Sequence, residues 1–572
     1  MIEEKIRKII GEGLEKLGVE SPEVSLEHPD DVSNGDYSTS AALAYAKKLK
    51  VNPKKLSEEI VRYIVQKKPE EIEKVEVAGP GFINFYLARD FFTKQVEVIV
   101  KNPENFGKSA SLAGQKIMVD YTDPNPFKEF HIGHLMSNAI GESICRVFES
   151  SGAKVVRVCY QGDVGLHVAK ALWGVLQNKA GLPDDSSPLS EKTAYLGAAY
   201  ALGSQKYEDD PKAAVEIKEI NKKVFEKSDG EINALYEKGR KWSLLHFDEI
   251  YKKLGTEFNH IIPESSVIDD GRKIVEEFLN KEVFEKSEGA VIFRGEKYGL
   301  HTRVFISSQG LPTYETKDMG LAKKKLELDK DLSDSVIVTA NEQNEYFKVV
   351  FKALSFIFPE YAKISKHVGH GMLRFTSGKM SSRKGNVITG ESLISAVEAM
   401  VHKKLEEREL ETTEKNKIAE IVAIGAIKYS ILRQAIGSDI IYDFDKSISF
   451  EGDSGPYLQY SYVRAKSVLA KAEKEGVKTA ATQPPREGAS LLERLLYRFP
   501  DIVERAGKEY APHLIATYLI ELAGAFNSYY AQNQIVNSSD PDSSYRVALT
   551  SAFATVMKNG LWLLGIGAPE RM

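Results

Sequence analysis

Apolar residues recur at helical spacing near Ile6–Leu17, Ser40–Leu49 and Leu56–Lys67, and each stretch predicts an amphipathic helix. Short apolar runs at Val75–Ala78 and Phe82–Leu87 predict strands, with Gly79-Pro80-Gly81 as the turn between them. Residues 1 to about 110 are thus expected to form a small α+β unit. From Lys116 the pattern changes. Ile117–Tyr121 is a short apolar strand, a Pro/Asn loop follows, a helix begins near His131, and Val155–Tyr160 is the next strand. Strand, helix, strand predicts a parallel sheet. Leu166 to about Leu254 is helical and charged, broken at Leu182-Pro183-Asp184-Asp185-Ser186-Ser187-Pro188, and is expected to be an insertion on that sheet. Strands resume at Ala290–Phe293, Thr302–Ser307 and Ser335–Thr339, with a helix at Thr313–Leu328. Beyond about Ser392 the chain is mostly helical, with loops at Gln483-Pro484-Pro485 and Asn537-Ser538-Ser539-Asp540-Pro541.

With 572 residues the chain is too long for one ordinary core, so about three or four domains are expected. Charged residues make up 28% and hydrophobic residues 42%, the balance of a globular protein. The formal net charge of -5 does not exclude nucleic acid, because a polyanion can dock on a local basic patch. The two cysteines, Cys145 and Cys159, have no zinc-type spacing, so no protein-held metal is expected. The charged start Met1-Ile2-Glu3-Glu4 does not resemble a signal peptide, and no uncharged apolar run is long enough to span a membrane. A cytoplasmic protein without membrane partners is expected.

Two motifs carry chemistry. His131-Ile132-Gly133-His134 heads a helix just after a strand and its polar loop, Asp123-Pro124-Asn125-Pro126-Phe127-Lys128. Such a loop is where open α/β sheets place ligand groups, and a helix N-terminus favours phosphate. The two histidines share a face of the first turn, and Gly133 removes a side chain where a nucleotide must approach. The second motif, Lys379-Met380-Ser381-Ser382-Arg383-Lys384-Gly385, lies in a Ser/Gly/basic loop whose lysines can follow charge onto a leaving pyrophosphate.

In this order the two motifs resemble the ATP-handling elements of class I aminoacyl-tRNA synthetases. Over nearly its whole length the chain resembles the arginyl-tRNA synthetases. Gly35-Asp36-Tyr37-Ser38-Thr39 and Val77 to Phe85 are similar to that family's N-terminal domain. Gly455-Pro456-Tyr457-Leu458-Gln459-Tyr460 and Ala568-Pro569-Glu570-Arg571-Met572 are similar to its anticodon-binding domain. The resemblance implies a multidomain α/β fold. A Rossmann-type catalytic domain (113–395, insertion near 166–290) would be flanked by an N-terminal α+β domain (1–112) and, after a helical connection (396–454), an α-helical bundle (455–572). It implies an arginine–tRNA ligase using L-arginine, Mg²⁺-borne ATP and tRNA(Arg), a monomer whose first step requires bound tRNA.

The resemblance also implies site roles. His131, His134, Lys379 and Lys384 would be catalytic; Gly133, Met372, Leu373, Met380 and Ser381 would join them around ATP. Asn125, Lys128, His131, Tyr314, Asp318 and Gln343 would hold arginine. Asn84, Tyr460, Tyr518 and Met572 would meet tRNA. Independently, Tyr314 and Asp318 lie four apart on a predicted helix and can line one pocket wall. A guanidinium suits a carboxylate that accepts two parallel hydrogen bonds and a ring that packs on its plane. Three departures stand out. Ser382 replaces the family's second motif lysine, leaving Arg383 or Lys384 to share the work of Lys379. Asp123 stands where serine is usual, adding a negative charge near the substrate's amino group. Val164 replaces a tryptophan, with an expected effect on how the tRNA's terminal adenosine is seated. The rival readings are another class I specificity, for cysteine or glutamate, and a tRNA-binding paralogue without catalysis.

Overall fold

Five parallel strands make the central sheet: β1 (Lys116–Tyr121), β2 (Lys154–Gln161), β3 (His260–Pro263), β4 (Asp334–Ala340) and β5 (Ser365–His370). Their order is β5-β4-β1-β2-β3. The chain moves outward in one direction from β1 and in the other from β4, so the switch point lies between the carboxyl ends of these two strands. The structure, a computed structural model, describes residues 2–29, 31–375, 389–481 and 488–572.

Helix α1 (Ile132–Ser150) is the crossover from β1 to β2, and 15 of its 19 residues are buried, so it is covered on all sides. Its Gly141 is a close-approach position: a Cβ there would lie 2.3 Å from the Tyr121 ring of β1. The Tyr121 hydroxyl in turn donates to Glu142 at 2.6 Å. Helices α2 (Tyr314–Leu328) and α3 (Asn344–Ile357) flank β4 in sequence. Met319 and Ala322 of α2 join Val349, Val350 and Ala353 of α3 in one apolar core.

Of the three strands expected after the insertion, only the last belongs to the parallel sheet. Ala290–Phe293 and Arg303–Ile306 pair antiparallel with each other, and the former also with Glu285–Ser287. The connection 294–302 is too short for a parallel crossover. The inserted helices, Leu166–Gln177, Leu189–Asp209, Pro211–Glu226 and Gly230–Leu254, pack around a core of their own that includes Trp173 and Trp242.

The chain forms two compact units, neither contiguous in sequence. One comprises 1–107, 461–501 and 520–559; the other comprises 108–460, 502–519 and 560–572. Within the 455–572 segment, residues 461–501 and 520–559 fall in the first unit and the others in the second. In the first unit, Tyr37–Thr39 adds a third strand to the hairpin of Ile72–Ala78 and Phe82–Leu87. Asp36 there is fully buried, accepts from the Leu87 amide at 2.8 Å and pairs with Arg494. In the second unit, buried Lys428 donates to the carbonyls of Leu254 (2.6 Å) and Gly565 (2.9 Å), and Ser143 of α1 donates to Leu563 O at 2.8 Å. No helix among the described residues is long and apolar enough to cross a membrane.

Candidate active site

The loop after β1 carries three non-glycine residues in the left-handed region: Thr122 (φ 83°), Asp123 (φ 48°) and Phe127 (φ 68°). Such conformations persist only where the surroundings enforce them. Here the amide of Thr122 donates to Ser137 Oγ at 2.9 Å, and Ser137 donates onward to Val338 O of β4 at 2.7 Å. Asn138 holds the Thr122 hydroxyl at 3.0 Å, and the Phe127 amide donates to Ser243 at 3.0 Å. The first turns of α1 thus bind β1's exit loop to β4 at the switch point.

His131 caps α1. Its Nδ1 accepts from the His134 amide at 3.4 Å, and His134 Nδ1 accepts from the His131 amide at 3.2 Å. This is a capping box built from two imidazoles. Burial pulls both rings below the ordinary histidine range; Lys128 adds to this for His131, and His131 and Lys128 add to it for His134. Both are therefore neutral near pH 7. With each Nδ1 accepting, the ring proton sits on Nε2. The rings stack with centroids 3.5 Å apart. Gly133 serves this stack: a Cβ there would lie 2.9 Å from the His131 ring. Its missing side chain makes room for His131 itself, a local reason that the sequence reading assigned to the nucleotide.

Beside the switch point is a cavity of about 660 Å³. Asp123 and Asn125 line it from the β1 loop, Tyr160 and Gly162 from the end of β2, and Glu264 from the turn after β3. Tyr314, Glu315 and Asp318 line it from α2, Thr339 and Gln343 from the end of β4, and Tyr346 from α3. Six carboxyl groups line it (Asp120, Asp123, Glu264, Glu315, Asp318 and Glu342) against two cations, Arg303 and Lys325, an acidic excess that suits a cationic ligand. Asp318 Oδ2 accepts from the Tyr346 hydroxyl at 2.6 Å. Burial pushes the Asp318 carboxyl up to about 7, against the pull of that hydrogen bond and of Lys325. Glu264 is held by Lys317 at 2.5 Å, and the Lys317 ammonium also lies 4.6 Å from the Tyr314 ring centroid. Lys325 pairs with Asp120 at 2.5 Å, both fully buried. Asp123 accepts from the Tyr160 amide at 2.8 Å. Burial and the neighbouring Asp120 push its carboxyl well above the ordinary range. The negative charge expected from Asp123 is thus suppressed.

The structure brings Asn125, Tyr314, Asp318 and Gln343 to this one cavity. Asn125 fits because Gly162 lacks a side chain, whose Cβ would lie 2.3 Å from Asn125 Oδ1. Lys128 lies outside the cavity wall, 5.1 Å from the Tyr200 ring centroid. Met372 is exposed; its amide donates to Asp439 at 2.9 Å, and Leu373 opens a short strand paired with Ile440–Tyr442. Lys379, Met380, Ser381 and Lys384 lie outside the described residues, as do Ser382, Arg383 and the Gln483-Pro484-Pro485 loop. The segment that follows the motif returns to α1: the Gly390 amide donates to Phe130 O at 2.7 Å.

The residues assigned to tRNA are dispersed. Asn84 is 3% exposed and accepts from Ser38 Oγ at 2.8 Å, so its side chain braces the N-terminal sheet. Tyr518 is also 3% exposed and belongs to a helix core. Tyr460 is half-buried against Phe450, and Met572 is partly exposed. Val164 is buried among Phe127, Trp173 and Trp242, which makes it a core residue. Its neighbour Asp163 accepts from Ser265 and Tyr236 and pairs with Arg240, tying the inserted helices to the end of β2. Glu264, Arg303 and Tyr346 line the cavity but were missed from sequence. The signal for Glu264 was its place just past the end of a parallel strand; no local pattern marked the other two.

The chain is similar to known proteins over its whole length. The chain matches the family of class I tRNA synthetases (R), catalytic domain, over residues 95–444. It matches the arginyl tRNA synthetase N terminal domain over 4–87 and the DALR anticodon binding domain over 458–572. It is 32% identical to the arginine–tRNA ligase of Clostridium acetobutylicum, covering 99% of this chain and 100% of the relative. It is 30% identical to that of Clostridium perfringens, with 99% and 100% covered. In fold it resembles the Thermus thermophilus arginyl-tRNA synthetase, with a TM-score of 0.82 at 23% identity and 100% of each chain covered. Three matching domain models in chain order, with full-length similarity, place this chain in the arginyl-tRNA synthetase family of class I aminoacyl-tRNA synthetases.

Proposed function

We propose that the acidic cavity at the β1–β4 switch point is the arginine subsite of an arginine–tRNA ligase, with ATP bound alongside it at the head of α1. The overall reaction follows from the family: arginine and ATP give arginyl-adenylate and pyrophosphate, and arginine then passes to the 3′-terminal adenosine of tRNA(Arg). In our reading Asp318 receives the guanidinium edge, Tyr314 packs on its plane, and Asn125 and Gln343 take the amino-acid backbone. The substrate carboxylate then attacks the α-phosphate of ATP in line; a carboxyl oxygen–phosphorus bond forms, and the bond from the α-phosphorus to the β-phosphate breaks to release pyrophosphate. His131 and His134 are neutral and carry their protons on Nε2, so they act as hydrogen-bond donors to phosphate oxygens. Mg²⁺ arrives with ATP, and the lysines of the 379–384 motif complete the charge on the leaving pyrophosphate. Activation awaits tRNA.

The observation that carries this reading is the convergence of Asn125, Tyr314, Asp318 and Gln343, from separate segments, on one acidic cavity. The test is the Asp318→Asn variant in aminoacylation, which keeps shape and removes charge. The KM for arginine is expected to rise at least about tenfold, with the KM for ATP unchanged. An unchanged arginine KM would remove Asp318 from the subsite.

A further inference from the structure

Asp318 sits in the cavity wall with one oxygen already engaged. The Tyr346 hydroxyl, from the first turn of α3, donates to Oδ2 at 2.6 Å. The Tyr346 ring is itself fixed. The guanidinium of Arg303 lies 5.0 Å from its centroid, and Arg303 is anchored by Glu315 at 3.1 Å. Phe347 packs edge-on at 5.2 Å. A chain Glu315–Arg303–Tyr346–Asp318 therefore runs along the cavity wall, from α2 through the antiparallel sheet and α3 back to α2.

We propose that Tyr346 is a positioning residue for arginine recognition: its hydroxyl orients the Asp318 carboxylate, and Arg303 clamps the ring that carries it. This rests on Asp318 belonging to the arginine subsite. A carboxylate has about four acceptor positions, so one taken by Tyr346 leaves the rest to a bidentate guanidinium. A hydroxyl donates more strongly to a carboxylate oxygen than to a neutral carboxyl group, so the contact favours the charged form that arginine needs. This matters because the surroundings oppose ionisation. Burial, Glu264 and Glu315 push the Asp318 carboxyl up, while Tyr346 and Lys325 pull it down. Tyr160 also faces it from β2. Tyr346 keeps its proton throughout, because burial and Asp318 hold it well above the ordinary tyrosine range. Arg303 contributes a cation on the ring face.

The experiment is the pH profile of kcat/KM for arginine at saturating ATP and tRNA, for wild type and Tyr346→Phe. Phenylalanine keeps the ring, its packing on Phe347 and its contact with Arg303. In wild type the acidic limb is expected near pH 7, the region to which Asp318 is pushed. In the variant that limb is expected to move up by about one pH unit, with arginine KM about tenfold higher at pH 7 and the KM for ATP unchanged. Recovery of most of kcat/KM at pH 8.5 completes the expected result. A limb that stays in place, or equal losses for arginine and ATP, would overturn the positioning role. If Asp318→Asn also leaves arginine KM untouched, the subsite assignment fails as well. If it raises arginine KM while Tyr346→Phe does not, only the role of Tyr346 fails.

Discussion

Replacing Lys325 by Met is the most severe perturbation that the cavity floor predicts. Lys325 and Asp120 are 1% and 2% exposed, with Nζ and Oδ2 2.5 Å apart. At an effective dielectric of about 20, the gross attraction at this distance is about 7 kcal/mol. Most of it offsets the cost of taking both charges out of water, so the pair contributes little net stability. Removing one partner is different, because Asp120 is then left buried and uncompensated. Its Oδ1 already lacks a hydrogen-bond partner among the described residues. Asp123 would also lose a cation that restrains its carboxyl. The expected loss is about 3–5 kcal/mol. The three tryptophans, Trp173, Trp242 and Trp562, all lie in the unit that holds the parallel sheet, so urea unfolding followed by fluorescence reports on that unit. The double variant Lys325→Met/Asp120→Asn should recover at least about half of the loss. A single-variant loss below about 1 kcal/mol would refute the reasoning.

Two further perturbations follow from the same geometry. Gly162→Ala places a Cβ 2.3 Å from Asn125 Oδ1, so Asn125 must move; arginine KM in aminoacylation should rise about three- to tenfold with ATP KM unaffected, and an unchanged value would detach Asn125 from the subsite. Lys428 is fully buried and pushed down to about 7, by burial first and Arg146 second. The unfolded chain therefore binds more protons than the folded one between about pH 7 and 10.5. Wild-type stability relative to Lys428→Met should accordingly rise with pH in that window, by at most about 1.4 kcal/mol per unit. Urea midpoints at pH 7.0, 8.0 and 9.0 check this, and a constant difference would contradict it.

Much of the candidate site was legible because its residues sit at element ends. His131 and His134 were found from a strand, a polar loop and a helix start, the local order that a parallel sheet imposes. Tyr314 and Asp318 were found from helical spacing within one segment. The rest of the cavity depends on tertiary pairing. Glu264 follows a four-residue edge strand, His260–Pro263, too short to stand out in a hydrophobic pattern. Strand Ser365–His370 reads as polar, with only its last residue buried, so it left no alternation to detect. Tyr346 sits in an ordinary amphipathic helix, and nothing local says that its hydroxyl faces a carboxylate two elements away. Burial was not legible either: Asn84, Val164 and Tyr518 are all buried, and nothing in their local sequence says so. Asp36, noted only through its motif, anchors a buried pair with Arg494 in its own unit. Burial of a polar side chain is a three-dimensional property, and sequence spacing reports it only when both partners share one element.

The central claim is that this cavity selects arginine for activation, and ATP–pyrophosphate exchange with each amino acid in turn, with and without tRNA(Arg), tests it most directly. The account predicts exchange with arginine alone, dependent on added tRNA, with lysine at least about a hundredfold less effective because an ammonium cannot reproduce the bidentate contact at Asp318. Exchange supported equally by lysine, or by an uncharged amino acid, would contradict it.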